Sequence, residues 1–225
     1  MILDNVVPWG RSFDEYASMF DLTELDLQKR ILGCGDGPAS FNAELTERGG
    51  SIVSVDPIYS FTVSQIQARI DQVYPEVLNQ MEKNTQDYLW GNIKSIPELG
   101  RIRMKAMQRF LSDYEKGLAE KRYHCAALPQ LAFKDKAFDL ALCSHFLFLY
   151  SDHLNFEQHL QGIKELCRVA TEVRIYPLMS LDGNLSGHLV PIIDKLEDAS
   201  IKTSIQKVNY RFQKGATEML VLNAI

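Results

Sequence analysis

The hydrophobic positions near the N-terminus alternate between short continuous runs and sets at helical spacing. An apolar run at 30–32 leads into a glycine-rich loop, a helical stretch over 38–48 with Pro38 in its first turn, and a second apolar run over 51–56. Short apolar runs bounded by turn residues are typical of buried strands, and spacings of three and four residues are typical of helices. The pattern predicts one strand–helix–strand unit.

The same alternation returns in the second half of the chain. Strands and helices are predicted in turn over 123–126, 138–143, 155–169, 172–177 and 190–198. Two last strands, 201–210 and 217–222, are joined by a hairpin loop. We therefore predict an α/β fold with an open, mostly parallel sheet, an antiparallel C-terminal hairpin strand and helices on both faces.

Two helical segments lie outside this alternation. Residues 61–122 carry apolar side chains at helical spacing among charges of both signs, which predicts a helical insertion of two or three helices. Residues 1–28 are predicted to form an N-terminal helical cap. We predict one domain over 1–225, because a single domain of this length can bury roughly 70% of its unfolded surface. A cluster of four basic residues in the insertion is expected to be a solvated face, and its members are Arg101, Arg103, Lys105 and Arg109.

Composition and charge exclude several classes of protein. The 225 residues include 24 Lys+Arg and 29 Asp+Glu, a net charge of −5, so we expect neither nucleic acid nor an anionic membrane as a partner. The most apolar region, 138–150, is interrupted by polar residues and is shorter than the roughly 18 residues of a membrane span. No signal peptide is apparent. The four cysteines and five histidines have no metal-site spacing, so we expect no metal and a cytoplasmic protein with reduced thiols.

The loops that follow the predicted strands carry the candidate chemistry. Gly35 and Gly37 let the backbone approach a ligand closely and adopt positive φ angles. Asp56 ends the next strand, where a carboxylate commonly accepts the hydroxyls of a ribose. In an open α/β sheet, ligands bind at the carboxyl ends of the strands. These positions together indicate an adenosine-containing ligand, and the alternative is that both glycines only turn the chain.

The run ILGCGDGPASFNAELTERGGSIVSVD resembles the first motif of class I S-adenosylmethionine-dependent methyltransferases. In that motif a strand ending in acid-x-Gly-x-Gly-x-Gly is followed by a helix and a strand ending in an acid. LAFKDKAFDLALCSHFLFLYSDH resembles the family's fourth strand and loop, and NYRFQKGATEMLVL its antiparallel seventh strand. VVPWGRSFDEY together with GPASFNAE is similar to an uncharacterised bacterial branch. The dinucleotide pattern G-x-G-x-x-G fits poorly, which disfavours a nicotinamide-dependent oxidoreductase.

The resemblance implies a Rossmann-like sheet, S-adenosylmethionine as cofactor and methyl transfer to a small-molecule acceptor. The contacts that it implies are the backbone of Cys34, Gly35 and Gly37 at the methionine and ribose, Asp56 at the ribose hydroxyls, Ile58 and the Leu128 N–H at the adenine, and Ser144 near the sulfur. The insertion would follow the second strand at this edge. It is expected to act as a lid over the acceptor pocket or as a homodimer interface.

Two acids of the family's pattern are absent. Gly33 stands where the first strand ends in an acid, and Ala127 stands where an acid commonly holds the adenine amino group. Asp36, farther along the glycine loop, is the candidate replacement for the first acid. The alternative to an active enzyme is therefore a catalytically silent relative that binds a nucleoside or a protein partner.

Two further residues have candidate roles with open alternatives. His145 is the candidate general base, because its reference pKa lies near 6.5 and its loop faces the predicted pocket. Its alternative is a histidine that only packs beneath the cofactor. Arg11 is expected to pair with the cofactor's carboxylate, with Tyr16 reaching the same end. Its alternative is a surface position beside a packed group of Trp9, Phe13 and Tyr16.

Overall fold

The computed structural model describes residues 7–91 and 93–223. The strands among them are β1 (Arg30–Cys34), β2 (Ser51–Val55), β3 (Tyr123–His124), β4 (Phe138–Ser144), β5 (Ala170–Tyr176), β6 (Lys202–Lys207) and β7 (Glu218–Asn223). The α-helices are α1 (Phe13–Met19), α2 (Phe41–Glu47), α3 (Val63–Lys83), α4 (Ile96–Ala119), α5 (Phe156–Val169) and α6 (Leu189–Asp198). No helix in these ranges is long and apolar enough to cross a membrane.

The strands form one open sheet in the order β3-β2-β1-β4-β5-β7-β6. Strand β1 pairs in parallel with β2 and with β4, and β7 runs antiparallel to both β5 and β6. The predicted fold class is thereby confirmed. The strand order reverses between β1 and β4, and in such sheets the crevice at the reversal is where ligands bind.

The two faces of the sheet are covered by different helices. Alternate residues of a strand point to opposite faces, and on β4 Leu140 packs in the same buried cluster as residues of α1 and α2. The next residue, Ala141, packs in the cluster that contains residues of α5 and α6. Since β4 is buried on both faces, its near-continuous apolar sequence is the one expected of a central parallel strand.

The 61–122 segment contains α3, α4 and a short 3₁₀ turn over Thr85–Asp87. The helix α3 begins with a capping box in which Thr62 and Gln65 satisfy each other's backbone N–H groups. The helix α4 is capped by Ser95, whose hydroxyl accepts from the Glu98 N–H at 3.3 Å. These two helices pack through a third buried cluster, which includes Ile66, Ile70, Met107, Phe110 and Tyr114.

The predicted start of α2 is wrong by three residues. The helix begins at Phe41, and Pro38 lies in the preceding turn rather than in the first helical turn. The backbone N–H of Ser40 donates to the carbonyl of Arg11 at 3.0 Å, a bond that ties the turn to the N-terminal segment. This tertiary contact is not visible in the local pattern, which is why a proline and helical spacing suggested an earlier start.

Candidate functional site

A cavity of about 740 Å³ lies at the carboxyl ends of β1, β2 and β4. Its walls include the candidate cofactor-binding and catalytic residues, which are Arg11, Cys34, Gly35, Asp36, Gly37, Asp56, Ile58, Leu128, Ser144 and His145. The cavity volume lies within the range of roughly 300–1,000 Å³ typical of small-molecule sites. The structure therefore brings these residues together, while their individual roles stay predictions.

The glycine loop after β1 has backbone conformations that let a ligand approach its main chain closely. Gly35 and Gly37 have φ angles of 70° and 52°, values that side-chain-bearing residues adopt with strain. A Cβ atom at Gly35 would lie 2.9 Å from the Cβ atom of Phe146, whereas one at Gly37 would meet none of the described residues within 4 Å. The loop is thus tightly packed at Gly35 and open at Gly37.

Asp56 links the loops that follow β1 and β2. One carboxylate oxygen accepts from the Gly37 N–H and the other from the Ile58 N–H, both at 2.9 Å. Burial raises the pKa of Asp56, and these two backbone hydrogen bonds oppose that shift. Each oxygen has a second lone pair, so the carboxylate can hold the glycine loop and still accept from a ligand hydroxyl.

The Asp36 side chain occupies the space beside Gly33, near the end of β1. A Cβ atom at Gly33 would overlap the Asp36 carboxylate. Tyr16 donates to Asp36 at 2.8 Å and Ser54 donates at 2.6 Å. Burial raises the pKa of Asp36 to about 6, although both hydrogen bonds favour the ionised form. The missing side chain at residue 33 makes room for a carboxylate that arrives from residue 36.

Replacing Gly33 with alanine should displace the Asp36 carboxylate. We expect Gly33→Ala to lower the free energy of unfolding by about 1–3 kcal/mol, the usual cost of overpacking a filled interior. Denaturant unfolding measures this change. Gly187→Ala is the matched control, because a Cβ atom there meets nothing within 4 Å. Equal stability of the two variants would contradict the proposed overlap.

Arg11 is half-buried and lines the same cavity as the glycine loop, so its role stays a prediction. Its guanidinium donates to the carbonyl of Trp9 at 3.1 Å, and its buried Nε has no hydrogen-bond partner among the described residues. Burial lowers the pKa of Arg11, and the nearby Arg103 lowers it further. A half-buried guanidinium with a spare N–H donor is a ready partner for an anionic group of a ligand.

Arg103 was predicted to be solvated, and that prediction is wrong. Its side chain is 1% exposed, lines the cavity and forms an ion pair with Glu15 of α1. Tyr210 donates to the same carboxylate at 2.8 Å. The helical spacing could have indicated its burial, because Arg103 lies four residues from each of the buried Leu99 and Met107 and therefore on the same face of α4.

His145 follows β4 in a left-handed backbone conformation with a φ of 52°. Its N–H donates to the Tyr176 carbonyl at 2.7 Å, and its Nδ1 lies 3.0 Å from the Ser144 hydroxyl. Burial lowers the pKa of His145 well below its ordinary value, and the charges of Arg11 and Arg103 act in the same direction. The imidazole is therefore neutral at pH 7, which a general base must be before it takes a proton.

The outer part of the cavity has apolar and aromatic walls. Helix α3 contributes Val77 and Met81. Tyr88, which follows the insertion's 3₁₀ turn, stacks on Phe212 of the β6–β7 connection with ring centroids 5.0 Å apart. The backbone N–H of Leu89 donates to the Phe212 carbonyl at 2.7 Å. The insertion and the hairpin connection thus join at the cavity wall.

No family model matches this chain. The uncharacterized protein MJ0045 of Methanocaldococcus jannaschii is 33% identical over 225 residues, which cover 98% of this chain and 97% of that protein. The chain belongs to the family of MJ0045.

Solved structures similar to this MJ0045 family member have low sequence identity. The PH0226 protein of Pyrococcus horikoshii is 14% identical, with 88% of this chain and 82% of that chain covered and a TM-score of 0.48. A SAM-dependent methyltransferase from Aquifex aeolicus is 15% identical, with 94% and 93% covered and a TM-score of 0.45. Magnesium protoporphyrin IX methyltransferase from Synechocystis with bound SAM is 15% identical, with 95% and 78% covered and a TM-score of 0.46. At this level the likeness does not identify the reaction of the MJ0045 family.

Proposed function

We propose that this MJ0045 family member transfers a methyl group from S-adenosylmethionine to a small-molecule acceptor. The observation that carries the proposal is the shared cavity of the open glycine loop, Asp56 and Arg11. An adenosine and a charged amino-acid end need a ribose acceptor, a close backbone approach and a partner for a carboxylate. These three features lie side by side at the reversal of strand order.

The residues present suit the cofactor. Within the described part of the chain, the Nε of Arg11 has no partner, which supports its assignment to the carboxylate, and the space at Gly37 leaves room beside Asp56 for a ribose. The assigned contacts are Cys34, Gly35 and Gly37 at the methionine and ribose, Asp36 at the amino group, Ile58 and Leu128 at the adenine, and Ser144 near the sulfur. When bound, S-adenosylmethionine supplies an electrophilic methyl group on a sulfonium. The protein's task is then to align an acceptor in a dry pocket.

The aromatic walls of the outer cavity support an organic small molecule as the acceptor. Residues of α3 line the cavity, which favours the lid assignment of the insertion over a homodimer interface. We retain the absence of nucleic-acid and membrane partners and the cytoplasmic location as predictions. The bacterial origin of the branch also stays a prediction, since the relative named above is from an archaeon.

Titration calorimetry with S-adenosylhomocysteine tests the proposal, with NADH as the control ligand. We expect micromolar binding of S-adenosylhomocysteine and no binding of NADH. Binding of NADH in preference to S-adenosylhomocysteine would revive an oxidoreductase. Absence of binding by either ligand would contradict the assigned cofactor.

A catalytically silent relative that binds a nucleoside or a protein partner is the second candidate. The alanine at position 127 favours it, because the cavity wall there carries a methyl group where the resemblance implies an acid. Binding of S-adenosylhomocysteine without transfer of labelled methyl to any compound of a broad acceptor panel would support this candidate. Labelled product would exclude it.

The affinity for S-adenosylhomocysteine should decrease as the pH is lowered from 7 to 5. Burial raises the pKa of Asp36 to about 6, and only its ionised form attracts the ligand's amino group. Protonation below pH 6 should therefore weaken binding about tenfold between pH 7 and pH 5. Calorimetry across this range measures the change, and Asp36→Asn should remove the part of the pH dependence that the Asp36 carboxylate contributes. A wild-type affinity that is constant over this range would contradict the assigned role of Asp36.

A further inference from the structure

A network of buried polar side chains lies behind the Asp36 carboxylate. Ser54 of β2 donates to Asp36 at 2.6 Å, and the side-chain amide of Asn42 on α2 donates to the Ser54 hydroxyl oxygen at 3.0 Å. The Arg122 guanidinium donates to the amide oxygen of Asn42 at 2.5 Å. It also donates twice to the Asp113 carboxylate of α4, at 2.8 and 2.9 Å. The network therefore connects the helical insertion to the glycine loop.

The direction of each hydrogen bond follows from the Arg122 end of the network. A guanidinium only donates, so the Asn42 side chain must turn its oxygen towards Arg122 and its NH₂ group towards Ser54. The same NH₂ group donates to the Arg122 backbone carbonyl at 3.2 Å, which requires the same orientation. Since the Ser54 oxygen accepts from Asn42 and an ionised carboxylate only accepts, the Ser54 hydroxyl proton is directed at Asp36.

Asp36 alone of these five residues lines the cavity. Asn42 and Ser54 are 1% and 0% exposed, and burying an amide or a hydroxyl costs free energy that its hydrogen bonds offset. The Asn42 amide, part of the run GPASFNAE, lies outside the cavity walls and so does not contact a ligand there. The position of the Asp36 carboxylate is therefore what the network can determine at the cavity.

Two donors hold the Asp36 carboxylate in one orientation. Ser54 donates to one of its oxygens, and Tyr16 donates to the other at 2.8 Å. Each oxygen keeps a second lone pair with which it can accept from a ligand. Both hydrogen bonds favour the ionised carboxylate and oppose the effect of its burial.

Four other titratable groups act on the Asp36 carboxyl. Asp56 is an acid, and its charge raises the pKa of Asp36 in addition to the effect of burial. Burial raises the pKa of Tyr16 and of Tyr59 well above the ordinary value, so both phenols are uncharged at pH 7. A neighbouring thiol and burial raise the pKa of Cys34 in the same way. Near neutral pH, the negative charge that faces Asp36 is thus that of Asp56.

We propose that Ser54, oriented by Asn42 and Arg122, is a positioning residue that holds the Asp36 carboxylate in place for the amino group of S-adenosylmethionine. This inference rests on the proposed methyl transfer. Ser54 lies outside the cavity walls, so its effect on a ligand passes through Asp36. The site should then prefer a ligand whose amino-acid end carries a protonated amino group, and adenosine compounds without that end should bind more weakly.

Carbon-13 NMR of the aspartate carboxyl groups in the ligand-free protein tests the positioning role. The Asp36 signal is the one that Asp36→Asn removes, and we expect it to titrate near pH 6 in the wild type. In Ser54→Ala the carboxylate loses one of the two donors that favour its charged form, so the midpoint should rise by about one pH unit. Ser54→Cys keeps a side chain of similar size but is a weak donor, and it should shift the midpoint in the same direction.

Ser186→Ala is the matched control for the loss of a buried serine hydroxyl. Ser186 is 3% exposed and lies outside the cavity walls, and its hydroxyl pairs with that of Ser151 at 2.7 Å. The Asp36 midpoint should not change in this variant. A midpoint that is the same in the wild type, Ser54→Ala and Ser54→Cys would overturn the positioning role.

Calorimetry at pH 7 gives the second readout. S-adenosylhomocysteine is compared with methylthioadenosine, which has the nucleoside and the thioether but no amino-acid end. Ser54→Ala should reduce the preference for S-adenosylhomocysteine by about two- to tenfold, because the carboxylate is less ionised and less firmly held. An unchanged preference would contradict the proposal. A wild type that does not bind S-adenosylhomocysteine would refute the proposed function, and the ligand-free titration distinguishes that result from a failure of the positioning role.

Discussion

Replacing Asp56 with alanine is expected to weaken the binding of S-adenosylhomocysteine by about 10- to 100-fold. A hydrogen bond to a charged group contributes roughly 1.5–3 kcal/mol, and about 1.4 kcal/mol corresponds to tenfold in affinity. The structure adds a second reason for a large effect. The same carboxylate accepts from the Gly37 N–H, so its loss also releases the glycine loop.

Calorimetry on the folded variant measures this loss, and Asp71→Ala is the control. Asp71 is an exposed carboxylate of α3 whose hydrogen bond is to Gln67 of the same helix, so its loss changes the net charge equally without touching the cavity. We expect its affinity to match the wild type. An Asp56→Ala variant that binds as tightly as the control would remove Asp56 from the site.

The sheet was predictable from the sequence because the apolar pattern of each strand lies within a few consecutive residues. The apolar run of β4 and the terminal hairpin are continuous in the sequence, and short strands between helices leave few arrangements. The boundaries were less predictable. Helix α2 starts late because Ser40 bonds to Arg11, and β3 is reduced to Tyr123–His124 at the sheet edge. Both features depend on neighbours that are distant in sequence.

The candidate site was also predictable only in part. Gly35, Gly37 and Asp56 were predictable because their spacing follows from one strand–helix–strand unit. From the sequence, Asp36 was only a candidate replacement for the missing acid. The closeness of its carboxylate to residue 33 is visible only in the structure. Arg103 was misassigned because a charged side chain in an amphipathic helix is usually solvated. Its burial depends on Glu15, 88 residues earlier in the chain.

Replacing Glu15 with glutamine is expected to cause the largest loss of stability, about 3–5 kcal/mol in the free energy of unfolding. The change leaves Arg103 buried without its ion-pair partner, and an uncompensated buried charge carries a cost of this size. Tyr210 also loses a charged acceptor. Denaturant unfolding at pH 7 measures the loss, and Glu115→Gln, on the exposed face of α4, is the control.

The acid dependence of stability gives a second readout of the same pair. Burial alone would raise the pKa of Glu15, but the charge and hydrogen bond of Arg103 bring it down to about 2. Because the folded pKa lies below the ordinary value, the ionised carboxylate stabilises the fold above about pH 4.5, and this contribution disappears as the pH falls from 4.5 towards 2. Glu15→Gln should lack that part of the acid transition.

The double variant Glu15→Gln with Arg103→Met separates the ion pair from the packing around it. Replacing a buried pair with uncharged side chains of similar size is often neutral or stabilising, whereas removing one partner is costly. We therefore expect the double variant to recover most of the stability that Glu15→Gln loses. If the losses in the free energy of unfolding caused by Glu15→Gln and Arg103→Met simply added in the double variant, the two residues would not be coupled. The contact between α1 and α4 at Tyr210 would then not depend on charge.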